Sequence, residues 1–164
     1  MTTDNIQEIV AQFWKELNSD RTAMLGLDHE TGPRPMTAQV EDGHPPIWFF
    51  GGMDNDLTQK VMGGETQAYM TFVSKGHTMW ASVDGTLALH NDRAVIDRLW
   101  NPFVAAWYPN GGKEDPNLAL LRLTPTTAKL WRSNDNGLFE MVKGLLGFDP
   151  KQDAEEDIAE VRLG

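Results

Sequence analysis

Ile6, Ile9, Val10, Phe13, Trp14 and Leu17 recur at steps of three and four, which draws one apolar stripe along a helix starting near Thr3. Thr3 or Asp4 suits its N-cap. A lone helix of this length is marginal in water, so the stripe must lie on the body of the fold. After Asp20 the period drops to two. Short β-prone runs at 22–27, 34–40, 47–50, 68–74, 78–83 and 86–90 are separated by turn residues. Segments 28–33 and 41–46 carry the Gly and Pro of hairpin turns, and Asp84-Gly85 is a tight-turn dipeptide between two runs. Helical patterns at 54–62 and 92–100 interrupt the strands, each opening on residues suited to capping, with Pro102 just beyond the second. Apolar strands at 118–123 and 128–132 and a short helix at 138–146 follow. No internal repeat or linker divides the chain. The pattern predicts an α+β fold, an antiparallel barrel dressed with helices, as one domain over 1–150 with an acidic C-terminal tail over 151–164.

Residues 99–125 couple two tryptophans and four prolines to a compact apolar strand, unlike an ordinary connector. Trp100, Phe103, Trp107 and Tyr108 are costly to leave in water, so the barrel, a second subunit or a flat ligand must cover them.

Composition narrows the chemistry more than it specifies it. With 164 residues the chain is large enough for a full core, and the absence of cysteine excludes disulfides, thiolate metal sites and cysteine nucleophiles. A net charge of -10 repels a phosphate backbone and argues against nucleic-acid binding. The N-terminus lacks a basic start followed by an apolar run, which predicts neither signal peptide nor membrane anchor, and hence a cytoplasmic protein.

The histidines, His29, His44, His77 and His90, are far apart and lack the three- or four-residue spacing of a metal helix. No serine has a nucleophile-elbow context, and neither Gly51-Gly52 nor Gly63-Gly64 completes a phosphate-binding loop. What remains is a set of flat apolar side chains beside one arginine: Arg34-Pro35-Met36-Thr37, Trp48-Phe49-Phe50-Gly51-Gly52, Trp80, Trp107 and Trp131. Such walls suit a flat aromatic ligand, and equally a plain hydrophobic core.

Several of these residues carry a family resemblance. Trp48-Phe49-Phe50, Asp84-Gly85, Asp92-Arg93-Ala94, Leu99-Trp100-Asn101-Pro102, Trp107-Tyr108-Pro109, Asp115-Pro116, the run from Leu120 to Pro125 and Leu130-Trp131 occur in an order that resembles the general stress protein branch of the pyridoxamine 5'-phosphate oxidase-like, FMN-binding split β-barrels. The resemblance runs from about residue 6 to residue 131. It implies a six-stranded antiparallel split barrel with peripheral helices, a homodimer, and FMN in grooves at the dimer interface. Carried over by position, Arg34 would meet the flavin phosphate, and Pro35, Met36 and Thr37 would lie beside the isoalloxazine ring. Phe49, Phe50 and Gly51 match the second strand of the pocket. Asn55 and Leu57 fall at the phosphate segment, Trp80 at a ring contact and Trp131 near the flavin. Trp107 and Tyr108 would contact the second subunit.

The departures are as informative. Where similar relatives have Thr-Ser-Lys and then Ser-Pro-Lys, this chain reads Gly51-Gly52-Met53-Asp54-Asn55-Asp56-Leu57, so two lysines are gone and two aspartates have arrived. A carboxylate within a few ångströms opposes a phosphate by roughly 1 kcal/mol or more, although Arg34 and the helix start near Asn55 supply part of the pairing. After Trp131 the chain reads Ser133-Asn134-Asp135-Asn136-Gly137 in place of the oxidase branch's arginine- and histidine-containing segment, so pyridoxamine phosphate oxidation is not expected. Two functions stay open: a flavin-binding protein with weak flavin-dependent redox activity, and a non-enzymatic dimer whose degenerate flavin groove serves as an interaction or small-ligand surface.

Overall fold

The computed structural model describes residues 2–28, 32–133 and 158–164. Its first element, α1 (Thr3–Asp20), is capped by Thr2, one residue before the expected position, whose hydroxyl accepts from the Asn5 amide. The helix buries Ile9, Phe13, Trp14 and Leu17, as its stripe predicts. At about 2 kcal/mol per large side chain before ordering costs, this burial is what holds the helix. Arg21 ends α1 in a left-handed conformation, φ 64°, and its amide donates to the Leu17 carbonyl. The chain therefore turns directly into β1.

Seven strands follow among the described residues: β1 (Thr22–Leu27), β2 (Arg34–Glu41), β3 (His44–Gly52), β4 (Thr66–Val73), β5 (Met79–Leu89), β6 (Leu118–Arg132) and β7 (Ile158–Arg162). They pair antiparallel in the order β3-β2-β1-β4-β5-β6-β7, and β3 also pairs with β6. That last pairing, from Ile47 opposite Leu123 to Gly52 opposite Leu118, closes a six-stranded barrel with β7 as an added strand. Between the strands lie α2 (Asp56–Val61), α3 (Arg93–Leu99) and α4 (Pro102–Ala105). The α+β split barrel expected from the sequence is the observed fold.

Four local expectations are corrected. Asp84-Gly85 is no tight turn: β5 runs unbroken from Met79 to Leu89, and its register with β6 shifts between Asp84 and Gly85. Aspartate and glycine serve a bulge as readily as a hairpin. Likewise the strands expected at 118–123 and 128–132 are one 15-residue strand. Pro125 falls where β6 passes from β3 to β7 as its partner, a place that tolerates a missing N–H. The turn expected over 41–46 shrinks to Asp42 and Gly43, both at positive φ, because β3 already starts at His44. Within the segment expected as an acidic tail, residues 158–162 form β7, which buries Ala159. The helix expected at 138–146 lies outside the described residues.

The barrel interior and the α1 stripe form one core, with Leu25, Ile47, Phe49, Met70, Leu87, Leu121 and Leu123 fully covered. A second cluster lies outside the barrel, where Val95, Ile96, Leu99, Val104 and Tyr108 cover Trp48, Leu118 and Leu120. β3 is thus buried on both faces, which explains its continuous apolar run. Glu41 of β2 accepts two hydrogen bonds from Arg98 of α3, at 2.6 and 2.9 Å. Those bonds hold the Glu41 carboxyl below its ordinary value against the opposing effect of partial burial. No helix among the described residues is long and apolar enough to cross a membrane.

Two predictions follow from this packing. A Cβ on Gly85 would lie 2.3 Å from the Thr124 carbonyl oxygen, whereas one on Gly63 meets nothing. Urea unfolding should show Gly85→Ala destabilised by ~3 kcal/mol and Gly63→Ala changed by less than ~0.5 kcal/mol. Because the Glu41 carboxyl is depressed, its contribution is present above the ordinary carboxylate pKa and fades as pH falls through the folded value. Glu41→Gln should therefore melt below the wild type at pH 7, with the difference vanishing in acid.

Candidate functional site

Along β2, Ala38 is buried in the core and Met36 and Val40 pack against it, so the intervening Pro35, Thr37 and Gln39 face outward. The outer face of β3 beside them carries Phe50. A cavity of about 870 Å³ opens between these strands, the end of α1 and the α4 region. Asn18 to Thr22 form one wall, Pro35 to Thr37 with Gln39 and Phe50 to Gly52 another, and Asn101, Phe103, Val104, Trp107 and Tyr108 a third. Asp54, Asn55 and Asn117 complete it. The volume lies within the range of small-molecule and cofactor sites.

The third wall is fixed by capping and ring contacts. Asn101 caps α4 by accepting from the Phe103 and Val104 amides at 2.9 and 3.0 Å, with Pro102 at the start of the helix. Tyr108 packs against Trp100 and Phe50 at ring separations of 5.8 and 6.5 Å, and its hydroxyl donates to the Gly51 carbonyl at 2.6 Å. Burial, with Asp115 adding to it, pushes the Tyr108 hydroxyl up to about 12. It therefore stays protonated and spent on Gly51, a fastener between α4 and β3 and no general acid.

The polar end is built around Asn55. Its side-chain oxygen accepts from the Leu57 amide at 2.8 Å, capping α2, and from the Arg34 guanidinium. Asn117 accepts from the Met53 and Asp54 amides at 2.8 and 3.1 Å through its main-chain and side-chain oxygens. The Asp54 carboxylate folds over Gly52, where a Cβ would lie 2.6 Å from its oxygen and 3.0 Å from Asn117 Nδ2. Charged lining residues are Asp20, Arg21 and Asp54, with Arg34 reaching Asn55 beside them.

Of the residues singled out in the sequence, Pro35, Met36, Thr37, Phe50, Gly51 and Asn55 border the cavity, and Arg34 contacts Asn55. Phe49 and Leu57 sit in the main core. Trp80 and Trp131 lie directly opposite each other across β5 and β6, away from the cavity, in an outward row that runs Val73, Trp80, Trp131, Ile158. Of the expected interface pair, Tyr108 is buried within the subunit while Trp107 is 80% exposed and Phe103 82%. Sequence reasoning missed Asn18 to Thr22, Asn101, Asn117 and Gln39. A polar side chain in a half-buried strand was the available signal for Gln39. His44, His77 and His90 do not border the cavity, His29 lies outside the described residues, and no group of metal-ligating side chains occurs among the described residues.

Comparison with known proteins agrees with this fold. Residues 8–148 match the family described as pyridoxamine 5'-phosphate oxidase like. The crystal structure of a general stress FMN/FAD binding protein from Xanthomonas citri is 50% identical, covers 79% of this chain and 92% of that one, and superposes with a TM-score of 0.74. A general stress protein 26 from Jannaschia sp. CCS1 is 29% identical with a TM-score of 0.79, covering 95% and 99% of the two chains. Protein bli-3 of Neurospora crassa is 27% identical over 106 residues, 60% of this chain and 50% of that protein. The chain thus spans about half the length of this curated relative. The matched span, the closed six-stranded barrel and these general stress neighbours together establish that the chain belongs to the pyridoxamine 5'-phosphate oxidase-like split-barrel family, in its general stress protein branch.

Proposed function

We propose that the cavity is one wall of a flavin site and that a second copy of the chain completes it. The observation that carries this reading is the convergence of an outward strand face, an aromatic wall and Asn55, which accepts from Arg34, on one open cavity. Pro35, Met36, Thr37 and Phe50 offer a flat, uncharged surface to a ring. Arg34 is positioned to meet a phosphate, and Asn55 orients it. Trp80 and Trp131 serve this reading from the second copy, since within one subunit they lie away from the cavity. The FMN/FAD binding named for the Xanthomonas citri protein supports the same assignment.

Bound flavin would supply electron or hydride transfer, and the chain would supply orientation and exclusion of water. The Tyr108 hydroxyl is held on the Gly51 carbonyl, and the carboxylates of the wall are Asp20 and Asp54. On this reading any redox activity is weak and belongs to the flavin. The Asp54 carboxylate over Gly52 favours a second reading, in which the groove no longer holds a phosphate and the dimer is an interaction or small-ligand module.

Titration of the purified protein with FMN should quench flavin fluorescence and raise the melting temperature; no quenching and no shift overturns the flavin reading. Arg34→Ala should weaken FMN by roughly 10- to 100-fold, the loss of one charged hydrogen bond, and leave riboflavin within about twofold. Light scattering should give twice the 18.4 kDa of one chain. Trp107→Ala, exposed and therefore harmless to the fold, should shift that mass toward the monomer.

A further inference from the structure

Among the described residues Arg21 is the cation that borders the cavity directly, on the wall formed by the end of α1. In a chain with 24 acidic and 14 basic residues, carboxylate partners are abundant. Arg93, Arg98, Arg122 and Arg132 each have one, in Asp97, Glu41, Glu65 and Glu8. Arg21 meets none among the described residues. Its Nε donates to the Asn18 carbonyl at 3.0 Å, and the other N–H groups of the guanidinium find no partner there.

The backbone keeps an arginine here against its own preference. At φ 64° the chain is in the left-handed conformation in which glycine ends a helix without strain. The Arg21 amide donates to the Leu17 carbonyl at 2.9 Å and its carbonyl accepts from the Ala38 amide at 2.6 Å, so the conformation is fixed from both sides. Capping the Asn18 carbonyl uses one N–H of the guanidinium, and strained residues of this kind gather at functional sites. Arg21 also stands apart from Arg34. It precedes Thr22, which lies opposite Thr37, whereas Arg34 lies opposite Leu25. Three strand residues separate those two levels, roughly 10 Å.

We infer that Arg21 anchors a second ligand of the cavity, a flat aromatic monocarboxylate, at the end away from Arg34. The planar guanidinium fork matches a carboxylate with two parallel hydrogen bonds. Asp20 of the same wall opposes any further negative charge, which favours a monoanion over a phosphate dianion. Phe50 and Trp107 line the same cavity, and Trp107 is largely exposed in the subunit, so a ring attached to that carboxylate has an aromatic surface to lie on. This ligand and its cation are distinct from the flavin and Arg34, so neither reading depends on the other.

The test uses benzoate and its uncharged counterpart benzamide, titrated at fixed ionic strength into the full chain without flavin and followed by backbone and indole NMR signals. The wild type should bind benzoate about tenfold or more tighter than benzamide, with shifts centred on Arg21 and Trp107. Arg21→Gly should bring the two ligands within about twofold and leave the melting temperature within about 3 °C of the wild type, because glycine suits φ 64°. Arg21→Gln, which removes the charge and keeps a polar side chain, should lose the same discrimination, so a folding defect in one variant does not decide the matter. No benzoate binding, equal binding of the two probes, shifts centred on Arg34, or full discrimination in a folded variant overturns the role of Arg21. Each of those results leaves the flavin reading to its own FMN titration.

Discussion

One 15-residue strand hydrogen-bonds to three others, and the barrel exists because it does. β6 pairs with β5 along one edge; along the other it pairs first with β3 and then with β7. Without the β3–β6 ladder, β3 would be an exposed apolar edge, a liability that closure removes. Beside that change of partner the register of β5 with β6 shifts, where Gly85 lies against the Thr124 carbonyl with no room for a side chain. Both cores depend on that closure, because Ile47 and Phe49 point into the barrel while Trp48 packs under α3 and α4.

The cavity is a by-product of how the outer surface is covered. α3 and α4 lie over the outer side of β3 and the start of β6, and leave the outer face of β2 open. The uncovered face carries Pro35, Thr37 and Gln39. Tyr108 ties the end of the α4 region to Gly51, so the aromatic wall is set at a fixed distance from the strands. The site is walled on three sides, and on the third wall Phe103 and Trp107 stand largely in solvent.

Much of this was legible in the chain because periodicity is a local signal. The α1 stripe, the start of β1, the capping residues Asn55 and Asp92 and the outward face of β2 can all be read from residues a few positions apart. Where local signals are ambiguous the sequence misleads. Asp84-Gly85 satisfies a turn and a bulge alike, although the buried Met79, Ala81, Val83, Gly85 and Leu87 keep one alternation through it. Pro125 reads as a strand end until β3 and β7 are seen to meet β6 on either side of it.

The sequence by itself determined the class of the fold, the family and the exclusion of cysteine chemistry, since these rest on composition, spacing and the order of rare residues. Only the tertiary structure decided that Phe49 and Leu57 belong to the core, that Tyr108 is spent inside the subunit, that Trp80 and Trp131 lie away from the cavity, and that Gln39 lines it. The reason is physical. Whether an apolar or amide side chain is core, fastener or ligand contact depends on which distant strand or helix covers its face, and that covering is a long-range property no local pattern encodes.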